Sequence, residues 1–191
     1  MRPRWLAVLS LVFVAVAASA NEVATKDIKA VYADGKIADG QYKNDYFGVT
    51  LTPADAQFTQ GGFVSSEGAR ARLIDAQANA ANWEDRYEIA ILADALSANP
   101  LISSPAQYVR SVRHQLEKEG FETVETESPL EISGLRFVYA TMKIGGQGHT
   151  RYRGVYTTFL KGYILSLDVS VGSTARLQSI LKMVKFEAQR K

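Results

Sequence analysis

LRFVYATMKIGGQGHTRYRGVYTTFLKGYILSLDVSV, residues 135–171, is the stretch that decides the fold. Residues 135–144 are apolar on both faces except near their ends, as expected of a central strand covered on both sides. Gly145-Gly146-Gln147-Gly148 reads as a loose hairpin loop, and residues 149–160 form the returning strand. Lys161-Gly162 turns the chain again. In residues 163–171, Tyr163, Leu165, Leu167, Val169 and Val171 alternate with Ser166, Asp168 and Ser170, the pattern of a half-buried antiparallel strand. Three hairpin-linked strands in succession make an antiparallel sheet.

Working outward, residues 104–120 carry a complete set of helix signals. Ser104 can accept from the free N–H groups of the first turn, Pro105 suits the first helical position, and Gly120 supplies a left-handed stop. Tyr108, Val109, Val112 and Leu116 form one apolar stripe, while Arg110, Arg113, Lys118 and Glu119 face water. A strand is expected over 121–126. Further strands are expected at 70–76 and 87–92, joined by an Ala/Asn-rich loop at 77–82. Residues 42–52 read as two strand pieces around Asn44-Asp45, stopped by Pro53. Ser173 caps a last helix with Leu177, Ile180, Leu181 and Val184 at helical spacing. The expectation is α+β: an α/β/α sandwich with a central, mainly antiparallel sheet and two long amphipathic helices.

The N-terminus reads as an export signal. Arg2 and Arg4 precede an apolar run, and Ala18-Ser19-Ala20 offers the small residues of a signal peptidase site, with Ala18 and Ala20 at the recognition positions. The run from Trp5 to Ala18 is shorter than the roughly 20 residues that cross a bilayer. Residues 1–20 are therefore expected to be a cleaved signal peptide, residues 21–40 a leader with a short edge strand, and residues 41–191 one globular domain. With no cysteine there is neither a lipid-attachment site nor a disulfide framework. Removing Arg2 and Arg4 leaves 20 Lys and Arg against 20 Asp and Glu, so a mature chain is close to neutral and a nucleic-acid reading loses its electrostatic basis.

Several features together resemble a known superfamily. They are Tyr42 with Tyr46-Phe47-Gly48-Val49-Thr50-Leu51-Thr52-Pro53, the Ser-Pro-started helix, Ile132-Ser133-Gly134 before a long strand, Gly162-Tyr163-Ile164-Leu165, and the closing Val184-Lys185-Phe186. This order is similar to PsbP-like domains over residues 41–187, and bacterial envelope proteins of the DcrB type are among their relatives. The resemblance implies a sandwich around an antiparallel sheet and action mostly through protein contacts. One departure is Phe58, the nearest large aromatic to the early proline, where such domains often place a tryptophan.

His149, Arg151 and Arg153 are the sharpest local feature. On a strand they share one face beside a glycine-rich loop, an arrangement suited to an anion or an acidic partner surface, or simply to a solvated strand face. His114 reads as a helix-surface residue, and Ser103-Ser104-Pro105 as a cap rather than a nucleophile. The acids Glu84, Asp85 and Glu88, and Glu122, Glu125 and Glu127, are scattered carboxylates with only a weak resemblance to a calcium site. Tyr108, Tyr139, Tyr152, Tyr156 and Tyr163 suit the core or the wall of a groove. No catalytic residue, cofactor site or metal site is expected. The expected function is that of a periplasmic or secreted, non-enzymatic accessory protein that binds another envelope protein through its sheet or a groove, with no stable membrane anchor. The alternative is a small-ligand carrier with a pocket between helix 104–119 and the sheet.

Overall fold

A computed structural model describes residues 26–53, 55–63, 69–146 and 148–187. The expected signal peptide, with Ala18 and Ala20, lies outside the described residues. In chain order the elements are α1 (Ile28–Ala33), β1 (Gly35–Ala38), β2 (Gln41–Asn44), β3 (Val49–Leu51), β4 (Gln57–Phe63), β5 (Arg70–Ala78), β6 (Tyr87–Ala95), α2 (Pro105–Lys118), β7 (Glu122–Ile132), β8 (Leu135–Gly146), β9 (His149–Leu160), β10 (Tyr163–Val171), α3 (Thr174–Leu181) and β11 (Val184–Phe186). Single 3-10 turns stand at Trp83–Asp85 and Leu96–Ala98. No helix among these residues is long and apolar enough to cross a membrane.

Seven strands form one antiparallel sheet in the order β4-β5-β6-β10-β9-β8-β7. The hairpins read from residues 135–171 are its right half: Tyr139 stands opposite Tyr156, and Leu167 opposite both Tyr156 and Ile91. α2 covers one face. Ser104 accepts from the Gln107 N–H at 3.2 Å, and Val109 and Leu116 pack on Ala140, Met142 and Val155. The opposite face carries the main core, where Phe137, Ile89, Ile91, Leu165, Leu167 and Val169 are closed over by α1, α3 and a second sheet ordered β1-β2-β3-β11.

Several expectations change here. Residues 21–40 do more than lead in, because Ile28 and Val31 of α1 are buried in the main core, and Asp27 caps the helix by accepting from Lys29 N and Ala30 N. Asn44, fully buried, donates to Val31 O at 2.9 Å and accepts from Phe47 N at 3.1 Å, tying α1 to the turn between β2 and β3. The second long helix is a helix of eight residues. Val184, read as its last apolar position, belongs to β11, which pairs with β3 and completes the small sheet. The layer opposite α2 is thus part helix and part sheet. β8 is covered on both faces as expected but lies next to the edge, while β10 takes the centre. β10 is also buried on both faces, since Leu96 and Tyr108 cover Ile164.

β4 was not anticipated from the sequence, and a bulge in its partner explains much of the local arrangement. The β5–β6 register shifts between Arg72 and Ile74, so Leu73 and Ile74 both enter the core. Arg72 and Asp75 then share the α2 face. Gly61 of β4 lies against this bulge, where a Cβ would fall 1.7 Å from the Arg72 carbonyl oxygen.

Candidate functional site

His149, Arg151 and Arg153 do share the α2 face of the sheet, but they do not form a free cationic patch. Arg153 makes a two-point contact with Asp168 of β10, Nε to Oδ1 at 2.9 Å and Nη2 to Oδ2 at 2.6 Å. Asp168 raises the pKa of the guanidinium further above its ordinary value, chiefly through these hydrogen bonds. Arg151 reaches across β10 to Glu88 of β6 at 3.2 Å, and Glu88 also meets Arg72 at 3.3 Å. Arg72 in turn holds Asp75 at 2.6 Å. Burial of Asp75 pushes its carboxyl above the ordinary value, against the pull of Arg72. All of these side chains but Asp75 line a cavity of about 330 Å3 together with Arg70, and each arginine there has a carboxylate partner. His149 instead stacks on Trp83, with ring centroids 5.0 Å apart at 23°. The indole Nε1 donates to Thr150 O at 3.0 Å, so the 3-10 turn at Trp83–Asp85 is clamped over the start of β9.

Nearer α2 the same face holds a buried carboxylate. Asp94 accepts from the Tyr108 hydroxyl at 2.8 Å and lies 3.0 Å from Arg70 Nε. Burial raises the Asp94 pKa, partly opposed by Arg70 and Tyr108. His114 sits on the exposed helix surface, 2.9 Å from Glu117. Glu117 also accepts from Thr123 and Arg113, each at 2.6 Å, and Arg113 contacts Glu127 at 3.1 Å, so Arg113 is not turned wholly to water. The acids considered for calcium are dispersed: Glu88, Glu122, Glu125 and Glu127 each have their own partner. No group of three metal-ligating side chains occurs among the described residues.

A different surface offers room for a ligand. On the face opposite α2, the ends of β7, β8 and β9 and the flank of α3 enclose a cavity of about 390 Å3. Leu130 and Ile132 come from β7, Tyr139 and Thr141 from β8, Tyr156 from β9, and Leu177 and Leu181 from α3. Strand periodicity places the β8 and β9 residues, since side chains two apart share a face. The tyrosines are direct cross-strand partners and stack with centroids 5.3 Å apart at 20°. Tyr139 donates to Glu125 Oε1 at 2.5 Å, and burial followed by this carboxylate pushes its pKa up to about 12. Burial likewise raises the Tyr156 pKa, with Tyr139 and Glu125 adding to it. Glu131, Gln178 and Lys182 stand exposed at the rim.

The sequence reading singled out Tyr139 and Tyr156 as core or groove residues, and both line this cavity. Tyr108, by contrast, is tied to Asp94, and Tyr163 donates to Lys26 O. Thr141, Leu177 and Leu181 carried no signal of a site, because their meeting depends on where α3 docks. The apolar concavity also lies on the other side of the sheet from the pocket expected near helix 104–119. Beside α2 a space of about 710 Å3 is lined by Arg70, Glu119, Arg153 and Asp168 together with Val112, Leu116 and Val155, so polar and apolar walls are about equal there.

The fold is α+β, a mainly antiparallel sheet with helices on both faces. No protein-family model and no curated protein sequence matches the chain. Solved structures similar to it include a protein from Bacteroides thetaiotaomicron, at TM-score 0.41 and 12% identity, covering 74% of this chain. The chain spans 46% of that protein's length. LpqN, involved in cell envelope biogenesis of Mycobacterium tuberculosis, is similar at TM-score 0.44 and 13% identity, over 73% of this chain and 83% of LpqN. The cyanobacterial PsbP (CyanoP) of Synechocystis is similar at TM-score 0.46 and 10% identity, over 80% of this chain and 96% of that one. A PsbP is thus among the structures this chain is similar to. The likeness is one of backbone, and neither a function nor a partner follows from it.

Proposed function

We propose that the mature chain is an exported, non-enzymatic accessory protein of the cell envelope that works by binding, with the cavity beneath α3 as its binding site. The observation that carries this reading is the cavity itself. Its walls are mostly aliphatic and aromatic, its volume of about 390 Å3 lies in the range of small-ligand sites, and a few polar groups converge on it. Export is supported by the signal-like residues 1–20. The chemically capable side chains elsewhere have structural employment: Ser104 caps α2, His114 pairs with Glu117, and His149 stacks on Trp83. A docked envelope protein is the second reading. It is favoured by the position of β7, an edge strand that borders the cavity and exposes Val124.

Native mass spectrometry of protein purified from the envelope of its source tests the proposal. The expected result is a bound small molecule or a captured protein that is lost when Leu181→Trp fills the mouth of the cavity. A folded protein that carries nothing, and that crosslinks to nothing from position 181, refutes the binding role.

A further inference from the structure

Two hydroxyl groups in the cavity have no use in the fold. Thr141 is 5% exposed and Tyr156 is 3% exposed, yet among the described residues neither side chain makes a hydrogen bond. Both residues line the cavity, and neither hydroxyl is sealed away from it. The two groups open on one place. Thr141 stands opposite Gly154 in the β8–β9 ladder, and directly opposed Cβ positions lie about 4.5–5.5 Å apart. The Tyr156 hydroxyl lies 2.7 Å from the point where a Cβ on Gly154 would stand. The tyrosine ring therefore folds back over the bare glycine, and its hydroxyl lies over the ladder position that Thr141 faces.

The surroundings define what such a pair can receive. A hydroxyl donates, so two of them suit a carbonyl oxygen with its two lone pairs. A carboxylate is disfavoured there, because Glu125 lies close enough to Tyr139 and Tyr156 to oppose a further negative charge. The stacked Tyr139 and Tyr156 rings give one flat wall, and Leu130, Ile132, Leu177 and Leu181 give the rest.

From this juxtaposition we infer that the cavity takes a flat, apolar molecule without a carboxylate that presents one carbonyl oxygen to the hydroxyls of Thr141 and Tyr156. The inference rests on the α3 cavity being a binding site and specifies the chemistry of its occupant. Tyr139, whose hydroxyl is held by Glu125, contributes its ring face, while Tyr156 contributes both ring edge and donor.

Calorimetric titration of the full mature chain with three matched probes tests it: 2-acetylnaphthalene, naphthalene and 2-naphthoate. The ketone is expected to bind most tightly, by roughly tenfold over the hydrocarbon for two hydrogen bonds. Thr141→Val and Tyr156→Phe are each expected to remove roughly threefold of that advantage of ketone over hydrocarbon. Neither substitution removes a hydrogen bond that the fold uses, so both variants should fold, as circular dichroism would verify. Preference for the naphthoate, or a ketone advantage indifferent to both substitutions, overturns the ligand class and leaves the cavity's binding role standing. Failure of the folded protein to bind any of the three overturns the inference, and with an empty native mass spectrum it overturns the binding role as well.

Discussion

Gly172→Ala is the sharpest probe of how the strand ends are closed. Gly172 follows β10 and lies under the turn at Trp83–Asp85. A Cβ there would stand 2.3 Å from the Trp83 carbonyl oxygen and 2.9 Å from the Glu84 Cα, both backbone atoms. No rotamer relieves that contact, so the turn must lift from the sheet. Lifting it breaks the hydrogen bond from the indole to Thr150 O and the stack on His149. Each is worth about 0.5–1.5 kcal/mol, and alanine returns about 0.4–1 kcal/mol by restricting the unfolded chain. The net loss is then about 1 kcal/mol, which at ordinary urea dependence moves the midpoint down by roughly 0.5 M. The chain has two tryptophans, Trp5 and Trp83, so once residues 1–20 are removed all indole emission comes from Trp83. The variant should show a red-shifted emission maximum together with the lower midpoint. His149→Ala should lose only the stacking part and keep the indole hydrogen bond. An unshifted emission maximum with an unchanged midpoint in Gly172→Ala would refute the close approach of the turn to β10.

Tyr108→Phe removes a donor to Asp94 and is expected to cost about 1–2 kcal/mol in thermal melts, with equal stability of the two proteins counting against the buried contact. It should also raise the Asp94 pKa further. Because that pKa already lies above its ordinary 3.8 in the fold, Asp94's contribution to stability declines as pH rises from there through the raised value. Glu117 behaves with the opposite sign. The Thr123 hydroxyl, then His114 and Arg113, hold its pKa down at about 2, so its stabilisation is present above its ordinary 4.5 and is lost as pH falls toward 2. Thr123→Val should return that pKa toward 4.5 in a carbon-detected NMR titration; an unmoved value would show that the hydroxyl is not its main support. A double-mutant cycle of Arg153→Gln and Asp168→Asn should give a coupling of about 0.5–1 kcal/mol, because the pair is partly solvated. Zero coupling would mean the two-point contact is not populated in solution.

The legible parts of this fold were those encoded over short range. Residues 149–160 and 163–171 form strands with the expected bounds, because the turn residue pairs and the alternating apolar positions lie within one hairpin. α2 was equally clear, since Ser104, Pro105, Gly120 and the apolar stripe all lie on one helix. β4 was missed because its glycines, Gly61 and Gly62, weaken strand propensity, and only contact with the bulge in β5 explains Gly61. Val184 fits a helical stripe and a short strand equally well, and its pairing with Leu51 decided between them. The leader's helix was missed although Asp27 is a good cap, because six residues hold too little periodicity to read.

The site divides the same way. The shared face of His149, Arg151 and Arg153 follows from strand periodicity and needs no structure. Their neutralisation does not, because Glu88 comes from β6, 63 residues before Arg151, and reaches it only across β10. The sequence could likewise nominate Tyr139 and Tyr156 but could not bring Thr141, Leu177 and Leu181 to them. By itself the sequence determined an apolar export-like segment, a near-neutral cysteine-free chain, and the antiparallel hairpins of residues 135–171, all of which depend on neighbours along the chain. Only the tertiary structure decided that the arginines are paired and that the apolar hollow lies under α3. Strand order and helix docking are set by burial of side chains from distant segments, and no local spacing records which segments will meet.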